Sequence, residues 1–154
     1  MKFSTRTRYG LRFLIRLTSS PSDQLLQLGE LAREEGISPG YLEQIVRALK
    51  PLGILRSVRG AAGGYALSCK PQDVDLDQVF LHLEGEIAPV SCLTGHRPCV
   101  RSEVCSTRSF WEALDNHMRV FLRGMTLQDL VLTYRTDPPN TLLTPAELKA
   151  ARCK

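Results

Sequence analysis

The sequence predicts a mainly α chain with one small β-hairpin and a long amphipathic helix in its second half. Three observations carry that expectation. Leu42, Ile45, Val46 and Leu49 recur at i, i+3, i+4 and i+7 behind the turn GISPG. Two short strand-type runs, ILRSV and YALS, flank the glycine-rich RGAAGG. Residues 107–123 place Phe110, Trp111, Leu114, Met118, Phe121 and Leu122 on one wide apolar face.

In chain order, residues 4–18 read as a first helix. Ser4 is its cap, and Leu11, Leu14, Ile15 and Leu17 favour one side. Residues 28–35 form a second, stopped by Gly36. Ser38-Pro39 then supplies an N-cap followed by proline at the first helical position, and the third helix runs to about 50 before Pro51 and Gly53 end it. Two helices joined by so short a turn form a helix-turn-helix pattern, and the following hairpin is a wing. Asp75 starts a helix over 75–84 with Leu76, Val79, Phe80 and Leu83 as its stripe. Thr126 and Asp129 resemble a capping box for a last core helix over 127–134. The remainder is proline-rich, with a short helix start at Thr144-Pro145. The division that follows is residues 1–70 as a winged helix-turn-helix region, 71–134 as a cysteine-loop and dimerisation region, and 135–154 as a tail.

Charge is uneven along the chain. Residues 1–70 carry eleven Lys and Arg against five Asp and Glu, a net of +6, whereas residues 71–134 carry a net of −4. A basic half that holds a helix-turn-helix pattern implies a polyanionic partner. Its polar positions suit double-stranded DNA. Arg6 and Arg8 lie where phosphates are met, as do Lys50 and Arg56. The reader helix begins at Ser38 and presents Tyr41, Glu43, Gln44 and Arg47. Gln44 can pair bidentately with adenine, Arg47 with guanine, and Glu43 can accept from cytosine or pair with Arg47 one turn on. Arg59 at the wing tip suits the negative minor groove, and Gly60, Gly63 and Gly64 allow close backbone approach.

Cys92, Cys99 and Cys105 lie in one polar stretch, SCLTGHRPCVRSEVCS. Thiolates at that spacing can converge on one centre, and soft sulfur selects zinc, copper or iron–sulfur clusters. His96 lies between them, so a Cys₃His zinc site is one alternative and His96 is equally a candidate fourth ligand of a cluster. A metal-free thiol switch is the third reading. Five cysteines is an odd number, which rules out complete intramolecular pairing. Cys69 reads as structural and Cys153 as a tail thiol. His82 and His117 fall on helices and read as structural or surface residues. An enzyme is not expected, because no phosphate loop, Ser/His/Asp arrangement or Cys-x-x-Cys pair is present. Neither a signal peptide nor a membrane-spanning run is evident, and cytoplasmic residence is the default expectation. A wide apolar helix face on a small protein calls for a homodimer.

Segments STRTRYGLR, GISPGYLEQIVRALKPLGIL, SVRGAAGGY, EGEIAPVSC and FLRGMTLQDLV, in this order, resemble the Rrf-type bacterial transcription regulators, which include IscR, NsrR, RirA and CymR. The resemblance covers residues 1–134. It implies a homodimeric winged helix-turn-helix repressor or activator on palindromic operators. It further implies that Cys92, Cys99 and Cys105 hold a 2Fe–2S or 4Fe–4S cluster sensing iron–sulfur status, redox state or nitric oxide. The match is not complete. Six residues separate Cys92 from Cys99, one more than is usual in IscR. Arg108 stands where IscR-like proteins place a histidine, and Arg8 where NsrR-like proteins place an aspartate. The fourth ligand is therefore unassigned. Cluster-free control by thiols or by a partner protein, as in CymR-like members, is the alternative within the family.

Overall fold

The computed structural model describes residues 3–20, 24–60, 62–94 and 99–136. The tail from 137 lies outside the described residues, together with the helix start at Thr144, Cys153 and His96. Among the described residues, six α-helices and one hairpin follow each other as α1 (Thr5–Ser19), α2 (Leu28–Glu34), α3 (Pro39–Leu49), β1 (Leu55–Val58), β2 (Gly64–Leu67), α4 (Leu76–Glu84), α5 (Arg108–Arg123) and α6 (Leu127–Thr136).

Local chemistry accounts for the ends. Ser4 and Ser38 each accept from the backbone N–H three residues on, Thr7 and Tyr41 respectively, and Asp75 accepts from Asp77. Gly36 takes φ +66°, the left-handed conformation that ends α2 and opens the turn. Thr126 and Asp129 form the reciprocal cap, with both the backbone and hydroxyl of Thr126 on Asp129 Oδ2 at 2.8 and 2.7 Å.

One main core joins the helices. Phe13, Leu14 and Leu17 of α1 meet Leu42, Ile45, Val46 and Leu49 of α3, Val79 and Leu83 of α4, and Leu127 of α6. The α3 stripe is almost fully buried. Each such side chain contributes about 1.5–3 kcal/mol relative to exposure. The core therefore draws on both sides of residue 70. Gly10 is where α1 crosses α4: a Cβ there would lie 2.6 Å from Leu83 Cδ1. A smaller cluster of Leu76, Phe80, Leu122 and Met125 attaches α5.

The hairpin is antiparallel, with Leu55 opposite Leu67 and Val58 opposite Gly64. It is anchored by a bridge that local sequence patterning did not indicate. Leu26 and Tyr65 exchange both backbone hydrogen bonds at 2.9 Å, an isolated bridge that ties the residues before α2 to the edge of the two-stranded hairpin. Gly64 is needed there because a Cβ would come within 2.6 Å of Leu26 O. Arg12–Glu35 and Arg16–Glu34, both at 2.7 Å, further link α1 to α2, though exposed pairs contribute little. Among the described residues no helix is long and apolar enough to cross a membrane.

Candidate nucleic-acid interface and candidate metal centre

The reader helix and wing form one polar face. Glu43, Gln44 and Arg47 are exposed on α3, as are Arg59 and Gly60 at the hairpin tip. Glu43, Arg59 and Gly60 line a common groove of about 340 Å³ with Gln27, Lys50 and Ser57. Sequence patterning missed Gln27, because it precedes α2 and reaches the groove only through the Leu26–Tyr65 bridge. No ion pair joins Glu43 to Arg47 among the described residues, which leaves both heads outward. Gly60 takes φ +113°, a conformation open to glycine and strained for other residues.

Ser38 and Tyr41 have inward duties. Ser38 Oγ is occupied by the Tyr41 N–H at 3.2 Å. The Tyr41 hydroxyl lies 2.9 Å from Thr5 Oγ1, and its ring packs edge-on against Tyr9. Arg8 is exposed. Arg6 is partly committed: its Nε donates to Leu83 O at 2.7 Å, placing a cation on the last turn of α4. Beside it, Glu84 accepts from the Ser4 N–H. Partial burial pushes the Glu84 carboxyl up, but donors on Thr7 and Ser4 outweigh it and hold the group below the usual range.

Among its described residues, the hydrogen bonds of the cysteine segment are local. One-turn 3₁₀ helices at Ser91–Leu93 and Ser102–Val104 shape it. Its described backbone bonds are local, such as Ser102 N–H to Cys99 O at 3.0 Å and Arg108 N–H to Cys105 O at 3.3 Å. Few long-range bonds mean a low cost of rearrangement. Cys92 and Cys105 are exposed and Cys99 half-buried, and all three thiols are free. Val100 and Val104, the apolar neighbours of Cys99 and Cys105, are exposed, Val100 completely. Arg108 pairs with Glu112 at 2.7 Å.

As a donor set, three soft thiols outside any disulfide suit zinc or an iron–sulfur cluster. Among the described residues, however, no three His, Cys, Asp or Glu side chains gather closely enough to hold a metal ion. The donors match a soft metal in chemistry and are not preassembled. Cys105 is held below the usual thiol range, chiefly by the Thr107 hydroxyl at 3.6 Å and then by the Thr107 backbone. Burial raises Cys69, and Asp73 adds to the effect. In reduced, metal-free protein near neutral pH, Cys105 is therefore expected to alkylate well before Cys69, since the thiolate is the nucleophile. Mass-spectrometric time courses with iodoacetamide check this, and equal rates would contradict it.

A capped reader helix, a basic glycine-tipped hairpin and a helical core behind them define a winged helix-turn-helix DNA-binding protein. The chain belongs to the Rrf2 family, whose model, described as an iron-dependent transcriptional regulator, matches residues 3–133. It is 37% identical over 140 residues to Protein rrf2 of Nitratidesulfovibrio vulgaris (strain Hildenborough), covering 91% of this chain and 93% of that one. The solved structure of CymR, the global cysteine regulator of B. subtilis, superposes with a TM-score of 0.71 at 34% identity, over 89% of this chain and 99% of the other. The structure of T. potens IscR matches with a TM-score of 0.67 at 27% identity, over 90% and 94%. As a member of this family, the chain is a transcription regulator rather than an enzyme.

Proposed function

We propose that this regulator is a homodimer that binds a palindromic DNA operator and senses iron–sulfur status, redox state or nitric oxide through Cys92, Cys99 and Cys105. Residues 1–70 supply the DNA contacts, and residues 71–134 supply the sensing segment and the dimer seam. The carrying observation is the placement of three free thiols in a locally bonded segment, between the DNA-binding core and an uncovered apolar helix. The three thiolates would hold the cluster, with His96 the candidate fourth ligand. When bound, such a cluster would supply an oxidisable centre able to react with oxygen or nitric oxide. The thiols gather or release the segment between α4 and α5, and a segment held only by local turns can order or loosen without unfolding the core.

The dimer is supported by α5. Leu122 alone of its residues is buried, while Phe110, Val120 and Phe121 are 61%, 60% and 43% exposed. An apolar groove of about 610 Å³ adjoins that face, lined by Phe3, Phe80, Ile87, Met118 and Phe121 among others. A second copy of α5 covers it. On DNA, Arg6, Arg8 and Lys50 meet phosphates, and Glu43, Gln44, Arg47, Arg59 and Gly60 approach the grooves from a start set by Ser38 and Tyr41. Arg59→Ala is expected to weaken specific binding by about 1–3 kcal/mol. Fluorescence anisotropy on a duplex selected from a random library measures this, and unchanged affinity would remove the wing from the interface.

The test of the sensor is anaerobic purification with elemental analysis, beside the Cys92→Ser, Cys99→Ser, Cys105→Ser triple variant. Iron and inorganic sulfide in the native protein alone, with DNA affinity that changes on exposure to oxygen, is the expected result. Metal-free native protein that still responds to oxidant would favour the thiol-controlled reading, which the dispersed donors and the CymR likeness also support. Stoichiometric zinc would favour the zinc reading.

A further inference from the structure

We propose that the first turn of α1 is a positioning link between the root of the cysteine segment and the first turn of the reader helix, with Glu84 as its positioning residue. The inference rests on α3 being the DNA reader.

Two contacts hold the lower side of the link. The Ser4 N–H donates to Glu84 Oε1 across 80 residues of sequence, and Arg6 Nε donates to Leu83 O at 2.7 Å. Glu84 ends α4, where the helix dipole disfavours a carboxylate. Its charge is instead used at the positive end of α1, where Ser4 already caps Thr7. So α1 has two caps, one its own and one supplied by α4. The upper side of the link is the 2.9 Å contact from Thr5 Oγ1 to the Tyr41 hydroxyl. Tyr41 sits in the first turn of α3, three residues after its Ser38 cap. Ser4, Thr5 and Arg6 are consecutive, so one turn of helix carries both connections.

The root of the segment has little slack. Gly85, at φ +81°, turns the chain directly after Glu84, and Cys92 follows seven residues later. Ile87 O accepts from Arg119 Nη2 of α5 at 3.2 Å. Rearrangement of the cysteine segment therefore meets the Ile87–Arg119 contact first, and beyond it the next fixed points are Glu84 and Leu83. At Gly10 the α1 backbone presses directly on Leu83, which is fully buried. A pull on the end of α4 thus moves the first turn of α1 as a unit, because close-packed elements shift together. Thr5 passes that shift to Tyr41 and so to the face bearing Glu43 and Gln44.

Amide hydrogen exchange on full-length, thiol-reduced protein tests the link without metal or DNA. Two reporters are the Arg8 amide, bonded to Ser4 O, and the Leu42 amide, bonded to Ser38 O. Glu84→Ala is expected to speed exchange at Arg8 by about tenfold, the scale of a lost hydrogen bond to a charged group. Leu42 should speed several-fold with it. Glu84→Gln keeps an acceptor for Ser4 and should restore part of the protection. Thr5→Val should speed Leu42 without further effect from Glu84→Ala. The link is overturned if Leu42 ignores Glu84→Ala, or if amides throughout α6 accelerate equally, since that is general destabilisation. On a selected duplex, the effects of Glu84→Ala and Tyr41→Phe should overlap; strict additivity in log Kd would also overturn it. Native protein that bound no duplex would sink the regulator reading, and the exchange data would still decide the link.

Discussion

A chain carrying Phe110→Asp and Phe121→Asp is expected to sediment as a monomer and to lose operator affinity by more than about a hundredfold. The 16 residues of α5 bury one side chain in their own protomer, while its aromatic face stands open beside the groove floored by Phe80. A buried aromatic ring removes about 150–250 Å² from water, so two per protomer are enough to anchor a symmetric seam. Aspartates there would be buried without partners, at a cost of several kcal/mol. Two half-sites on one dimer bind with an effective-concentration gain of roughly 10²–10⁴, which monomers forfeit. Sedimentation velocity and anisotropy on the same samples measure both effects. Far-ultraviolet circular dichroism should be unchanged, because both rings lie outside the main core. A surviving dimer with full affinity would place the seam elsewhere.

Gly10→Val is expected to cost about 2–4 kcal/mol of stability and roughly 10 °C in Tm. The new Cβ would meet Leu83 Cδ1 at 2.6 Å and Ile45 Cγ2 at 3.4 Å. Both partners are fully buried, so neither can swing aside. Gly10→Ala should fall less, because replacing glycine inside a helix returns about 1 kcal/mol. Thermal melts of the three proteins give the comparison. An unchanged midpoint in the valine variant would mean slack at the α1–α4 crossing, and would weaken the rigid motion assigned to α1.

Much of the helical framework was legible because its signals are local. Ser4, Ser38 and Asp75 cap the helices they precede, Gly36 and Gly53 adopt left-handed turns, and Thr126 with Asp129 caps α6. The buried stripe of α3 was visible as a period of 3.6 residues. The outward placement of Glu43, Gln44 and Arg47 was legible for a related reason: polar residues on a helix with a known apolar side must face outward. The contact between Glu84 and the start of α1 was not legible. Its one unusual sign is an acid in the last turn of a helix, and only its distant partner explains it. Gln27 and Leu26 were likewise invisible, since a single bridge between residues 39 positions apart has no periodic pattern. The thiols were found by spacing, yet spacing measures contour length along the chain and does not bring the sulfurs together.

By itself, then, the chain's sequence determined the order and ends of its helices, the hairpin, the exposed polar side of α3 and the presence of three cysteines in one stretch. Each depends on relations among residues within about one or two turns of one another, where side-chain period and capping chemistry act. Tertiary structure alone decided that α4 caps α1, that the α1–α2 connection braces the wing, and that Gly10 is the crossing point. Those contacts join residues remote in sequence, and packing selects them only after the local elements exist.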